Sequence, residues 1–199
     1  MIEKTRIRAY VLEYDDETHT YLIDGVIVPS VTQIIHEAFF KNMYDFVPPS
    51  VLEKAAERGT EVHSMIERYC KGDAILETAR PVKDFNFLMR YYSLDVLQNE
   101  VPVIIEKDGE PKAAGRLDLV LNGANGRSIA DIKTTATLNK EFLLYQLNLY
   151  RLGYMQSYET DIKELYGIHI RPDKRKLVDI PVNEDWAWHV IDAYERSKK

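Results

Sequence analysis

Near its start the chain places apolar residues at every second position. Tyr10, Leu12 and Tyr14 alternate, Asp15-Asp16 supplies a turn, and Tyr21 to Ile23 returns to a second turn at Asp24-Gly25. Alternate side chains of a strand share a face, so residues 8–28 are expected to form a β-hairpin region. Ser30 with Gln33 three positions on is a capping box and opens a helix. Pro48-Pro49 closes that region. Ser50 with Glu53 predicts a second capping box, and the helix it opens should run to about Lys71, with Gly72 as its C-terminal cap. Leu52, Ala55, Gly59, Val62, Ile66 and Tyr69 recur at helical spacing as its core stripe. A further helix fits Val82 to Leu97, with Phe85, Leu88, Tyr92 and Val96 inward.

Beyond that point the rhythm is that of strands. Glu100 to Glu106 is one, followed by a turn at Asp108-Gly109. Ala113 to Leu121 and Ser128 to Thr134 are two more, joined by a loop over Asn122, Gly123, Ala124, Asn125 and Gly126, residue types that tolerate positive φ. A helix over about Lys140 to Gln156 precedes strands Leu165 to Ile170 and Leu177 to Val182 around Pro172-Asp173. A last helix covers about Glu184 to Arg196. The order predicts a mixed α/β class around one central sheet.

With 199 residues, the chain 1–199 reads as a single domain large enough for a sizeable core. Its apolar runs, such as Val101 to Ile105, are too short to span a bilayer, and Met1 to Arg6 lacks the apolar core of a signal peptide. The expected location is therefore cytoplasmic, with no membrane partner. A single cysteine, Cys70, excludes an internal disulfide and an iron–sulfur cluster. No phosphate loop of the Gly-x-x-x-x-Gly-Lys type is present, so no ATP site is expected. A net charge of −6 argues against a broadly basic nucleic-acid surface but leaves room for a local patch.

The strongest chemical signal is Gly115-Arg116-Leu117-Asp118 followed by Asp131-Ile132-Lys133. On a strand, Asp131 and Lys133 share one face while Ala130 and Ile132 point to the other. The preceding strand can bring Asp118 alongside. Two carboxylates and a lysine at one spot suit phosphodiester hydrolysis with magnesium, a hard cation that takes oxygen ligands. The plainer alternative is a cross-strand ion pair on a solvated face. On the second helix, His63 lies at the edge of the buried stripe, with Glu67 one turn on; a structural histidine is the plainer reading. Gly59, one turn earlier, leaves room for another backbone to pack close. Gln146 and Tyr150 share a helical face and have the groups to hold DNA by hydrogen bonding and stacking. Lys163, Arg171, Lys174, Arg175 and Lys176 form a basic run around the late hairpin, either a DNA-binding edge or a solvated surface.

The ordered set Gly59-x-x-x-His63, Gly115-x-x-Asp118, Asp131-x-Lys133, Gln146-x-x-x-Tyr150 resembles the RecB-type nucleases of the PD-(D/E)xK superfamily. His19-Thr20-Tyr21 through Gly25 to Pro29-Ser30-Val31-Thr32 is similar to the start of phage and prophage exonucleases of that group. The resemblance implies a restriction-endonuclease-like fold, a central mixed β-sheet flanked by helices. It implies that His63, Asp118, Asp131 and the carbonyl of Ile132 bind Mg2+, with Mn2+ able to substitute, and that Lys133 is the catalytic lysine. Gln146 and Tyr150 would support the site or contact DNA, and Glu67 and Glu100 are outer candidates. Leu117 stands where the superfamily's Pro-Asp doublet has proline, as is usual in this branch. The implied activity is a DNA exonuclease resecting ends in phage or prophage recombination and repair. DNA is the implied substrate, and a single-strand annealing or recombination protein an expected partner; a homo-oligomer is left open. The competing readings are a restriction-type endonuclease and a non-catalytic nucleic-acid-binding module that keeps the fold.

Overall fold

The computed structural model, described here over residues 2–198, is mixed α/β: two sheets of four and five strands with helices packed on them. The first sheet is an antiparallel meander of β1 (Ile2–Ile7), β2 (Tyr10–Asp15), β3 (Thr20–Ile23) and β4 (Val26–Val28). The hairpin region expected over 8–28 is thus part of a larger unit. Strand β1 gave no sequence signal because five of its six residues are exposed, so it has no buried alternation to read. Asp24 and Gly25 sit at φ 49° and 81° between paired Ile23 and Val26. Positive φ at both central positions is the geometry of a two-residue hairpin turn, which Asp-Gly favours.

The second sheet carries β5 (Asp95–Lys107), β6 (Glu110–Gly123), β7 (Gly126–Lys133), β8 (Glu164–Arg171) and β9 (Lys174–Ile180), in that spatial order. All neighbours are antiparallel except β7 and β8, which are parallel. A parallel pair needs a crossover, and helix α4 (Lys140–Tyr158) provides it. The five-residue loop expected over Asn122 to Gly126 is shorter: Gly123 pairs with Gly126, leaving only Ala124 and Asn125 in the turn.

Helices α1 (Val31–Phe39), α4 and α5 (Glu184–Ser197) share one core with the sheet, built on Val31, Ile35, Val103, Leu117, Leu147 and Val190. Helices α2 (Pro49–Cys70) and α3 (Arg80–Tyr91) share a second, through Val62, Ile66, Phe85, Leu88, Ala130 and Ile132. Ser30 and Gln33 form the expected capping box at α1. Beside it the N–H of Ala114 donates to the carbonyl of Pro29, which ties the small sheet to β6. Ile7, Leu12, Tyr21 and Ile23 then pack on Ile104 and Ala114.

Two helix boundaries differ from expectation. Helix α2 starts at Pro49, with Pro48 in the cap position and no side-chain cap, so the Ser50–Glu53 box does not form. Proline at the first helical position is pre-set for the helix, which moves Ser50 inside it. The stripe of α2 also narrows: Val62 and Ile66 are buried, while Ala55 is exposed. Helix α3 stops at Tyr91 rather than Leu97. Ser93 adopts φ 53°, its N–H donates to the carbonyl of Arg90, and the N–H of Leu94 donates to the carbonyl of Met89. That is the paired pattern of a Schellman stop, with serine where glycine is usual. Tyr92 is therefore exposed, and Val96 lies on β5.

Candidate active site

Strands β6 and β7 pair from Gly123 and Gly126 as far as Leu119 and Ala130, and the ladder stops there. One position further, Asp118 Oδ2 accepts a hydrogen bond from the N–H of Ile132 at 2.6 Å. A side-chain carboxylate has taken the place of a strand carbonyl. On the other side of β6, Asn99 pairs with Leu119 and Val101 with Leu117, while Glu100 between them sits at φ 50°. Leu117 belongs to the core under α4 and Leu119 to the core under α2 and α3. Around Asp118, strand β6 thus changes which core its alternate side chains face.

Helix α2 delivers His63 to the same place. Its Nε2 lies 2.9 Å from the carbonyl oxygen of Ile132, and its Nδ1 lies 3.5 Å from Asp118 Oδ2. The Ile132 backbone is thereby held through its N–H by Asp118 and through its carbonyl by His63. Ligand atoms of His63, Glu100 and Asp118 all lie within 4.8 Å of one another, close enough to share one metal ion. Glu100, an outer candidate from the sequence, thus stands in the inner group. Glu67 lines the same cleft, but its carboxylate is bonded to Lys71.

Asp131 is buried and faces Lys133, whose Nζ lies 2.6 Å from Oδ2. The approach is off the line of a hydrogen bond, so Oδ2 has no hydrogen-bond partner. Lys133 instead donates to Gln146 Oε1 at 2.9 Å. Gln146 and Tyr150 are both buried on α4, and Tyr150 lies against Gly115: a Cβ there would come within 2.7 Å of Tyr150 Cε1. Residues from three of the sequence motifs therefore interlock beneath the site. Gly59 behaves otherwise. A Cβ there would meet only Thr134 Oγ1 at 3.5 Å, an ordinary contact, so the close backbone approach expected of it is absent.

The electrostatics reflect crowded acids. Burial pushes the Asp131 carboxyl up to about 6, with Asp118 adding to the rise and Lys133 opposing it. Burial likewise pushes Glu100 up to about 7, helped by Asp118 and Glu67 and opposed by Arg116 and His63. For His63 burial pulls downward, but the Asp118 and Asp131 carboxylates outweigh it and the net shift is upward. Burial is the main cause of the first two shifts, and neighbouring carboxylates add to all three, a contribution that a bound cation would relieve.

The cleft over this group has a volume of about 430 Å³. Its far wall comes from the small sheet, through Tyr14, Asp16 and Tyr21, and Arg116 closes one side. The Arg116 guanidinium lies 4.7 Å over the Tyr14 ring, 3.9 Å from Glu100, and pairs with Glu3. Sequence reasoning missed this wall. Its one available signal was Arg116 itself, an interior position of Gly115-x-x-Asp118. A larger cavity of about 620 Å³ lies elsewhere, between the end of α2, α3 and the start of β5. Cys70 borders it, and burial pushes that thiol up to about 11, which fits an inert structural residue.

The basic run is more engaged than its sequence suggests. Arg175 Nη1 lies 2.7 Å from Oδ1 of the buried Asp84, and its guanidinium lies 3.8 Å over Phe87. Arg171 lies 3.3 Å from Asp173, and Lys163 pairs with Asp161. Lys174 and Lys176 are exposed on the hairpin. Arg175 is therefore first a partner for Asp84, contrary to the simple picture of a free phosphate-binding residue. The reason lies 91 positions away in sequence.

No protein-family model matches this sequence, and no curated protein does. Among solved structures, the crystal structure of SSO0001 is similar at 17% identity and a TM-score of 0.47, covering 86% of this chain and 75% of its own. Among the described residues, no helix is long and apolar enough to cross a membrane.

Proposed function

We propose that this chain is a divalent-metal-dependent deoxyribonuclease, a RecB-like member of the PD-(D/E)xK superfamily with a restriction-endonuclease-like fold, acting on DNA ends. The observation that carries the reading is the convergence of His63 and Asp118 on the Ile132 peptide, which Asp131 and Lys133 flank on β7 as an ion pair. These residues come from three separate elements, α2, β6 and β7.

The donor set fits a hard cation. It offers carboxylate oxygens, a backbone carbonyl and one imidazole, and the His63, Glu100 and Asp118 ligand atoms lie within 4.8 Å of one another. His63, Asp118, Asp131 and the Ile132 carbonyl would hold Mg2+ or Mn2+, with Glu100 as a further ligand. The ion, when bound, lowers the pKa of a water and offsets charge on the phosphate. Lys133 is placed to orient that water or to offset charge developing on the phosphate, and Gln146 fixes its ammonium in position. Tyr150 holds the α4 side of the site by packing on Gly115.

The direct test is digestion of end-labelled linear and closed circular DNA with Mg2+, with EDTA, and with the Lys133→Ala variant. The reading expects loss of linear DNA only, no cleavage in EDTA, and none by the variant. Cleavage of circular DNA would favour an endonuclease. Metal-dependent DNA binding without cleavage would favour a non-catalytic module.

A further inference from the structure

Helix α3 presents two apolar faces where one suffices to hold it. Val82, Phe85, Leu88 and Met89 bury themselves against α2 and the sheet. On the outside, Phe87 and Tyr91 remain 44% and 69% exposed. Their rings are one turn apart, with centroids 5.8 Å apart and planes 17° from parallel. The guanidinium of Arg175 lies 3.8 Å over Phe87 and is fixed there by Asp84, which Arg80 holds from the other side at 2.6 Å. A buried carboxylate thus sets the orientation of an aromatic–cation step at the surface. Beside it runs a groove of about 640 Å³ flanked by Lys83 and Arg90, with Glu77 the one acid among the described residues lining it. In a chain of net charge −6, this local excess of cations is a departure from the average surface.

We propose that this shelf docks single-stranded DNA, with bases stacked on Phe87 and Tyr91 and phosphates met by Lys83 and Arg90. The inference rests on the nuclease reading and adds to it the path of the strand. Paired bases offer no free ring faces to a protein surface, whereas unpaired bases stack readily on aromatic side chains flanked by cations. A nucleic-acid strand carries bases and phosphates together in every residue, which matches rings flanked by cations on both sides. Helix α3 packs in the same core as α2, the helix that delivers His63 to the cleft.

The experiment is fluorescence anisotropy of a labelled oligo-thymidylate in EDTA, so that no cleavage occurs. It compares the wild-type chain with Phe87→Ala/Tyr91→Ala and Phe87→Trp/Tyr91→Trp. Thymidine 5′-p-nitrophenyl phosphate, with Mg2+, reports the reaction centre separately. The alanine variant should bind the oligonucleotide about tenfold more weakly or worse, and the tryptophan variant should recover the affinity. Hydrolysis of the small substrate should be the same in all three. Equal affinity of the alanine variant overturns the shelf, as does failure of tryptophan to restore binding. A variant that loses self-association or a protein contact while keeping its oligonucleotide affinity assigns the face to a protein partner and also overturns it. A wild-type chain that neither binds nor cleaves DNA sinks the nuclease reading itself, a result distinct from all of these.

Discussion

Replacing Asp118 separates the structural use of its carboxylate from its charge. Oδ2 accepts the N–H of Ile132, a residue 2% exposed, at the point where the β6–β7 ladder ends. Asp118→Ala leaves that buried donor without a partner, a loss of about 1–3 kcal/mol. The Asp118 side chain is 13% exposed, so water reaches the vacated space in part, and removal of one carboxylate relieves Glu100 and Asp131. We therefore expect the lower part of the range, about 1–2 kcal/mol. For a chain of this size that is a fall in Tm of roughly 2–8 °C. Asp118→Asn keeps an acceptor oxygen and removes the charge, so its Tm should equal or exceed that of the wild type. Both variants should lose cleavage. Thermal unfolding must be followed in EDTA, because a metal that binds only the folded state would mask the comparison. Equal Tm values for the alanine and asparagine variants would show that the Asp118–Ile132 bond contributes nothing, and that Asp118 is present for chemistry alone.

Three further outcomes follow from the same geometry. Asp131, Glu100 and His63 all have folded-state pKa values above their ordinary ones, so each contributes stability below its unfolded pKa and loses it as pH rises through the folded value. The metal-free protein should therefore lose Tm between about pH 4 and 7, and saturating Mg2+ should flatten that slope; a metal-free Tm rising across the window refutes the assignment. Gly115→Ala forces a Cβ to within 2.7 Å of Tyr150 and 3.1 Å of Val31 Cγ2, and urea unfolding should show a loss of about 1–3 kcal/mol that Tyr150→Leu partly relieves. His63→Ala should raise the metal concentration needed for cleavage, more for Mn2+ than for Mg2+, because an imidazole suits manganese better; unchanged metal dependence would leave His63 a structural residue.

The core of the site was legible because period-two alternation is a hard constraint. Asp131 and Lys133 share a face on any strand, and Gln146 is on the α4 surface that covers it, so Lys133 meets both. Three things were not legible. Glu100 joins His63 and Asp118 only through a backbone at φ 50°, a conformation no sequence pattern marks for glutamate. The end of α3 was missed because Ser93 rather than glycine takes the left-handed position, while Tyr92 and Val96 continued the helical spacing. The small sheet as a wall of the cleft depends on tertiary packing of Tyr14 and Tyr21 over β5 and β6, which local pattern does not encode.

Local rules of structure are broken at several places in this chain, and what distinguishes the site is that they are broken together. Ser93 adopts a left-handed backbone, yet it completes a helix stop whose hydrogen bonds are all made. Ser128 Oγ is buried without a hydrogen-bond partner, yet it lies opposite Leu121, three residues along β6 from Asp118. Around Ile132 the exceptions accumulate. A strand ladder ends early, a side chain replaces a backbone acceptor, a glutamate sits at positive φ, a carboxylate is buried against a lysine, and two acids are pushed toward neutrality. The Asp118–Ile132 bond supports the sheet end, but the crowded, buried acids around it cost the metal-free fold stability as they ionise. Sequences otherwise consistent from local propensity to core packing retain such a concentration of exceptions where function requires it. On the proposed reading, the ion that His63, Glu100 and Asp118 are close enough to share would offset that buried charge and admit a phosphate the carboxylates alone would repel.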